Sequence, residues 1–235
     1  MALGTTLSSA LDVSTTAGVQ FVSLNSAGIA LADAALGSGS ITVCLMSYYH
    51  DYSNNAPTQD GDHTQMRVWY TEAGGSYRPN LSVVHGTGPG DTTTVYAEGS
   101  GNDDDAQHTN FTFDGSVSWD TIRGDSTTTG TGVGAETLHT YTGIYTRKFT
   151  ARGAAVITDN RRSYFVFDLS GITGTVTAVK FNVYIDNVGH TNDQFGKVIL
   201  VQSTALSGTT ADYGNCFVAD AAAVTDNATF FGANF

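Results

Sequence analysis

"SYFVFDLSGITGTVTAVKFNVYI", residues 163–185, is the stretch on which the reading of the fold turns. Phe165, Phe167 and Leu169 alternate with Tyr164, Val166 and Asp168. After Gly-Ile-Thr-Gly, Thr177, Val179, Phe181, Val183 and Ile185 alternate with Ala178, Lys180, Asn182 and Tyr184. Period-two patterning in β-branched and aromatic residues, around a glycine turn, predicts half-buried antiparallel strands. A β-domain is therefore well under way by residue 185, although the chain runs only to Phe235.

The totals agree with that class. At 235 residues with 40% apolar content the chain can bury a core, as one large or two small domains. Charged residues are only 14%, with Lys148, Lys180 and Lys197 the sole lysines and Glu72, Glu98 and Glu136 the sole glutamates. Surface helices draw heavily on those two residues, so helix content is expected to be low and, with 27 glycines, turns plentiful. A net charge of −12 argues against nucleic acid, which needs Lys and Arg clusters to neutralise phosphates. No apolar run is long enough to insert in a membrane, and "MALGTTLSSALDVS" lacks the basic and apolar parts of a secretory signal.

Three regions separate along the chain. Residues 1–86 hold the strand candidates "VQFVSL", "SITVCLMSYY", "TQMRVWYTEA" and "YRPNLSVVHG". "SITVCLMSYY" is apolar on both faces, as a central strand would be. Residues 87–111 are Gly-, Thr- and Asp-rich and read as a linker with at most one short strand. Residues 112–235 hold the opening strand pair, then "GKVILVQST" and "CFVADAAAVTDNATFF".

"DNRRSYFVFDLSGITGTVTAVKFNVYID" followed by "KVILVQSTALSGTTADY" resembles the first half of a β-sandwich module of phage virion and bacterial surface proteins, of the DNRLRE or carbohydrate-binding-like type. That half opens with Arg-x-x-x-x-Phe-Asp, matched here by Arg162, Phe167 and Asp168. The second half of such modules has a Leu-Asn-x-x-Gly element, a central strand ending in Asp-Tyr, and a closing Arg-Pro-x-Leu strand. These stand at the other end of this chain, in "SLNSAGI" (23–29), "VCLMSYYHDYSNNAP" (43–57) and "YRPNLSVV" (77–84). "DGSVSWDTIRG" (114–124) is similar to the leading strand. The resemblance covers nearly the whole chain with the two halves in inverted order: 1–86 like the module's end, 112–235 like its beginning.

Half a sandwich leaves strand edges and one sheet face exposed. The halves of one chain can close on each other, since a linker of about 25 residues reaches up to about 80 Å extended. Residues 1–86 can instead complete residues 112–235 of a neighbour, a head-to-tail contact that builds a filament unless it closes into a ring. A longer tandem array is the third arrangement. The expectation is an all-β, antiparallel, jelly-roll-like β-sandwich completed by strands from a neighbouring subunit. It would be the structural subunit of an extracellular or virion-surface fibre, partnered with itself and carrying no catalytic site. Phe21, Val22 and Leu24 in one half, and Phe217, Phe230 and Phe231 in the other, are the expected joint. The alternative is a monomeric carbohydrate-binding module, with Trp69 and Trp119 as stacking platforms and Tyr48, Tyr49 and Tyr52 beside them.

Other side chains suggest smaller roles. Asn80, Asn110 and Asn227 head Asn-x-Ser/Thr sequons and can carry glycans. Cys44 and Cys216 are the only cysteines; Cys44 reads as a small core hydrophobe, with a disulfide to Cys216 as the sharper reading. No cofactor is expected. Asp103–Asp105, Asp51, Asp60 and Asp62 are the carboxylates that could hold calcium, though an acidic run is usually just solvated. Arg123-Gly124-Asp125 spells an adhesion tripeptide, for which a plain turn is the default.

Overall fold

The computed structural model describes residues 2–3, 6–8, 10–12, 18–37, 39–61, 63–69, 77–86, 90–97, 108–114, 118–124, 134–136, 141–153, 155–190, 197–203 and 217–218. The strands in chain order are β1 (Ala2–Leu3), β2 (Leu11–Asp12), β3 (Gly18–Ser23), β4 (Ser40–Ser47), β5 (His63–Trp69), β6 (Asn80–Gly86) and β7 (Asp91–Tyr96). They continue with β8 (His108–Asp114), β9 (Gly134–Glu136), β10 (Tyr141–Thr150), β11 (Val156–Asp168), β12 (Thr175–His190), β13 (Lys197–Ser203) and β14 (Phe217–Val218). Two short helices, α1 (Ser26–Ala34) and α2 (Trp119–Gly124), and a π-helical turn, Tyr48–Tyr52, complete the chain. The fold is all-β and its ladders are antiparallel, as the patterning requires.

β11 and β12 are the strands read from residues 163–185, but they do not pair with each other. β11 lies beside β10 over its first half and beside β4 over its second, with β8 along its opposite edge. β12 carries β6 and then β5 in succession, with β3 on its other edge. The turn between them therefore carries the chain across the core rather than closing a hairpin. Phe165 and Phe167 of β11 meet Phe181 of β12 with ring centroids 5.5 and 6.1 Å apart, the contact of two facing layers. The turn itself is held locally: Ser170 N–H donates to the Asp168 carboxylate at 2.8 Å, and Ile172 N–H to the Leu169 carbonyl at 3.0 Å.

One ladder path runs β2-β13-β4-β11-β10-β5-β12-β6-β7. β1 to β6, all within residues 1–86, form no ladder with one another; each pairs with a strand from beyond residue 90. The core is shared in the same way. Val43 and Leu45 of β4, Met66 and Val68 of β5, and Leu81 and Val83 of β6 are buried with Phe165, Phe167, Phe181 and Leu200. Burying each such side chain contributes roughly 1.5–3 kcal/mol. Where β6 ends against β12, Gly86 and Gly174 both take positive φ, and a Cβ on Gly174 would lie 2.8 Å from the Gly86 Cα.

The stretch read as a linker, 87–111, holds β7 and the start of β8. β7 is "DTTTVY", whose threonines, like its valine, favour an extended backbone. Residues 98–107, between the two strands, lie outside the described residues.

Candidate functional site: the joint between the two halves

The elements quoted for the family resemblance stand where the two halves meet; Leu24 N–H donates to the Val179 carbonyl of β12 at 2.9 Å. Leu24-Asn25-x-x-Gly28 begins α1. Asn25 caps the helix by accepting from Gly28 N–H at 3.0 Å, and its amide donates to the Thr6 carbonyl at 2.9 Å. Gly28 is required because a Cβ there would stand 2.8 Å from the Leu24 side chain. At the far end of α1, Asp33 accepts from Val176 N–H of β12 at 2.8 Å. In Arg78-Pro79-x-Leu81, Arg78 donates to the Ala97 carbonyl at 2.8 Å and Leu81 is fully buried.

The strongest link joins the Asp-Tyr that follows β4 to the Arg that opens the other half. Strand alternation puts Asn160, Arg162 and Tyr164 on one face of β11, opposite Phe165 and Phe167. Over that face lies the π-helical turn, whose Asp51 side chain is fully buried. Arg162, also fully buried, grips it in a fork: Nε to Oδ2 at 2.6 Å and Nη2 to Oδ1 at 2.7 Å. Asn160 Nδ2 donates to Asp51 Oδ2 at 3.1 Å, and Thr146 of β10 donates to Asn160 Oδ1 at 2.6 Å. Arg123 of α2 comes from the other side, donating through Nε to the Asp51 carbonyl and through Nη2 to the Tyr52 carbonyl at 3.4 Å, with its own carbonyl accepting from Arg162 Nη2 at 2.7 Å. Such charge-assisted, bidentate bonds are the strong ones.

The turn that carries Asp51 is fixed from within. Ser47 Oγ accepts from His50 N–H at 3.3 Å, and His50 Nδ1 lies 2.9 Å from the Asn55 carbonyl. Tyr48 and Tyr52 stack at 5.7 Å and pack on Cys44, Met46, Tyr164, Ile199 and Val201. Burial raises the Tyr52 phenol above its ordinary range, with Tyr48 adding to the effect.

The structure brings together groups that sequence reasoning had sorted differently. Asp51 was a calcium candidate and is committed to Arg162; Asp60 was another, and its exposed carboxylate accepts from Thr150, whose hydroxyl and backbone N–H hold it below the usual range. Asp62 and Asp103–Asp105 lie outside the described residues, among which no three His, Cys, Asp or Glu side chains gather to hold a metal. Arg123 of the adhesion-like tripeptide turns onto Asp51. Asn160 stood in the quoted "DNRRSYF" without a role of its own and Thr146 was not anticipated; the Asp51 carboxylate that Asn160 serves is 109 residues away, and Thr146 acts through Asn160.

Of the expected joint residues, Leu24 is buried, Val22 packs against the core and Phe21 is 59% exposed. Phe217 lies in β14 opposite Leu3, while Phe230 and Phe231 fall outside the described residues. Cys44 is buried opposite Tyr164 and Val201; Cys216 is not among the described residues. Trp69 ends β5 opposite Tyr141. Trp119 is half-buried at the start of α2, its indole N–H buried without an acceptor among the described residues. Asn80 is half-buried in β6, donating to the Arg78 carbonyl at 3.1 Å and accepting from Asn182 at 2.9 Å; Asn110 lies in β8, and Asn227 is outside the described residues.

Comparison with protein-family models, with curated proteins and with solved structures returns no match.

Proposed function

We propose that this chain is the structural subunit of an extracellular or virion-surface fibre, built by passing residues 1–86 into the sheet of the next subunit. The observation that carries this reading is that the six strands of that half make no ladder among themselves. They are single strands laid beside strands of the other half, β4 between β11 and β13, β5 between β10 and β12.

A neighbour's strands can make the same ladders as the chain's own, so exchange between chains forfeits no contact. β7, paired with β6, goes with residues 1–86, and the chain between Tyr96 and His108 connects the exchanged part to the rest. Passed along from chain to chain, the exchange is head-to-tail and does not close, which gives a filament. Backbone pairing supplies the affinity and the alternating apolar side chains fix the register. The Arg162–Asp51 fork then locks each joint from its buried face. No cofactor or chemistry is part of this role; the only partner it needs is another copy.

Native size tests it. Size-exclusion chromatography with light scattering on dilute, unfixed protein is expected to show a polydisperse polymer that falls to 24.6 kDa chains in denaturant. A discrete 24.6 kDa particle without denaturant contradicts the fibre and leaves a domain closed on itself.

A further inference from the structure

The four exposed large apolar side chains among the described residues, Val19 (62%), Phe21 (59%), Tyr77 (43%) and Tyr96 (43%), gather on one side of the molecule. Val19 and Phe21 point outward from β3, and the register sets Phe21 beside Asn182 of β12, Asn182 beside Asn80 of β6, and Asn80 beside Tyr96 of β7. One row thus crosses four strands, about 14 Å, with a ring at each end and two asparagines between. Tyr77 closes the side against Tyr184, the outward neighbour of Val19, with ring centroids 4.7 Å apart. Lys180 lies 5.3 Å from the Phe21 ring centroid and Arg78 5.4 Å from that of Tyr96.

Two further properties say what this face meets. Among the described side chains of β3, β12, β6 and β7 the outward rows carry no carboxylate, whereas Lys180 stands in one of them and Arg78 just before β6. The rest of the surface is correspondingly more acidic than the net −12. In addition β3, "GVQFVS", has β12 as its only strand partner among the described residues and bears neither charge nor proline. Such a strand lacks the devices that normally protect a sheet edge from pairing with another chain.

We propose that this face is a contact surface for a second copy of the chain, lying on an acidic region of a neighbouring filament strand. Two such faces set against each other would leave Lys180 and Arg78 facing like charge, so the contact is heterologous rather than two-fold. Phe, Tyr and Arg are also the side chains that carry protein contacts. A patch this narrow does not hold two separate subunits together; it acts where exchange has already lined many copies up. The inference therefore rests on the fibre reading, and its consequence is lateral packing of filament strands.

The test is mass per unit length by electron microscopy, comparing the full-length chain with Phe21→Glu and, separately, Lys180→Glu. Both positions face solvent, and unchanged thermal melting shows that the variants fold. Expected are thinner filaments of unchanged length for each variant, and thinning of the unmodified fibre in high salt. Filaments of unchanged mass per length overturn the lateral contact and leave the exchange standing. Single chains at every concentration overturn both. Binding of alginate, an acidic polysaccharide, that Phe21→Glu abolishes without altering the filament would assign the face to a saccharide and overturn the contact as well.

Discussion

Two outer faces of this sandwich both carry apolar side chains and meet opposite fates. On the face of β4, β11 and β13 turned away from the core, Cys44, Met46, Tyr164, Ile199 and Val201 are all buried. On the corresponding face of β3, β12, β6 and β7, Val19, Phe21 and Tyr96 stand in solvent. The difference is made by one short element: the π-helical turn after β4 folds back over the first face, and its Asp51 is held down by Arg162 and Arg123. No described element folds back over the second. One face is closed from within the chain, and the other stands in solvent.

The sharpest way to break the contrast is to release that turn. Asp51→Ala leaves the Arg162 guanidinium buried without its counter-charge, and breaking a buried pair in this way costs about 3–5 kcal/mol. Urea unfolding followed by circular dichroism is expected to show a loss of that size. The double variant Asp51→Leu with Arg162→Met is expected to recover most of it, because well-packed apolar replacements of a buried pair are often neutral. A loss below about 1 kcal/mol for Asp51→Ala would mean that the fork does not secure the joint.

Truncations compare the faces directly. Met46→Ala opens a cavity on the covered face and is expected to cost about 2–5 kcal/mol. Phe21→Ser removes a larger side chain from the open face, yet should change folding stability by no more than about 0.5 kcal/mol. Equal losses in the same unfolding measurement would show that Phe21 is covered in the folded molecule and that the contrast between the faces is wrong.

The class and the strands were legible because alternation is local: Phe165, Phe167, Phe181 and Val183 announce β11 and β12 without reference to anything distant. The apolar character of "SITVCLMSYY" on both faces was equally legible, and β4 is buried on both. Pairing was not. The turn at 171–174 invites a hairpin, but β11 and β12 face each other across the core, since which strands share a ladder is settled by residues far away in sequence. The joint was half visible. Arg162, Asp51, Asn25 and Gly28 stood in the motifs quoted for the resemblance, but the fork between Arg162 and Asp51 spans 111 residues and leaves no local mark. Asp51, taken alone, looked like any solvated carboxylate. β7 was hidden by the polar threonines that form it.

The central claim, that residues 1–86 complete the sheet of another copy, comes down to whose strands meet at β4 and β11. Ser40 and Asp168 are ladder partners and both are exposed, and directly opposed Cα atoms at about 4.5–5.5 Å suit a disulfide. The measurement is the non-reducing denaturing gel of Ser40→Cys with Asp168→Cys, in a background carrying Cys44→Ala and Cys216→Ser, oxidised as assembled. A ladder of covalent multimers that collapses on reduction is the expected result. A single band of one internally linked chain, with the native particle equally small, contradicts it.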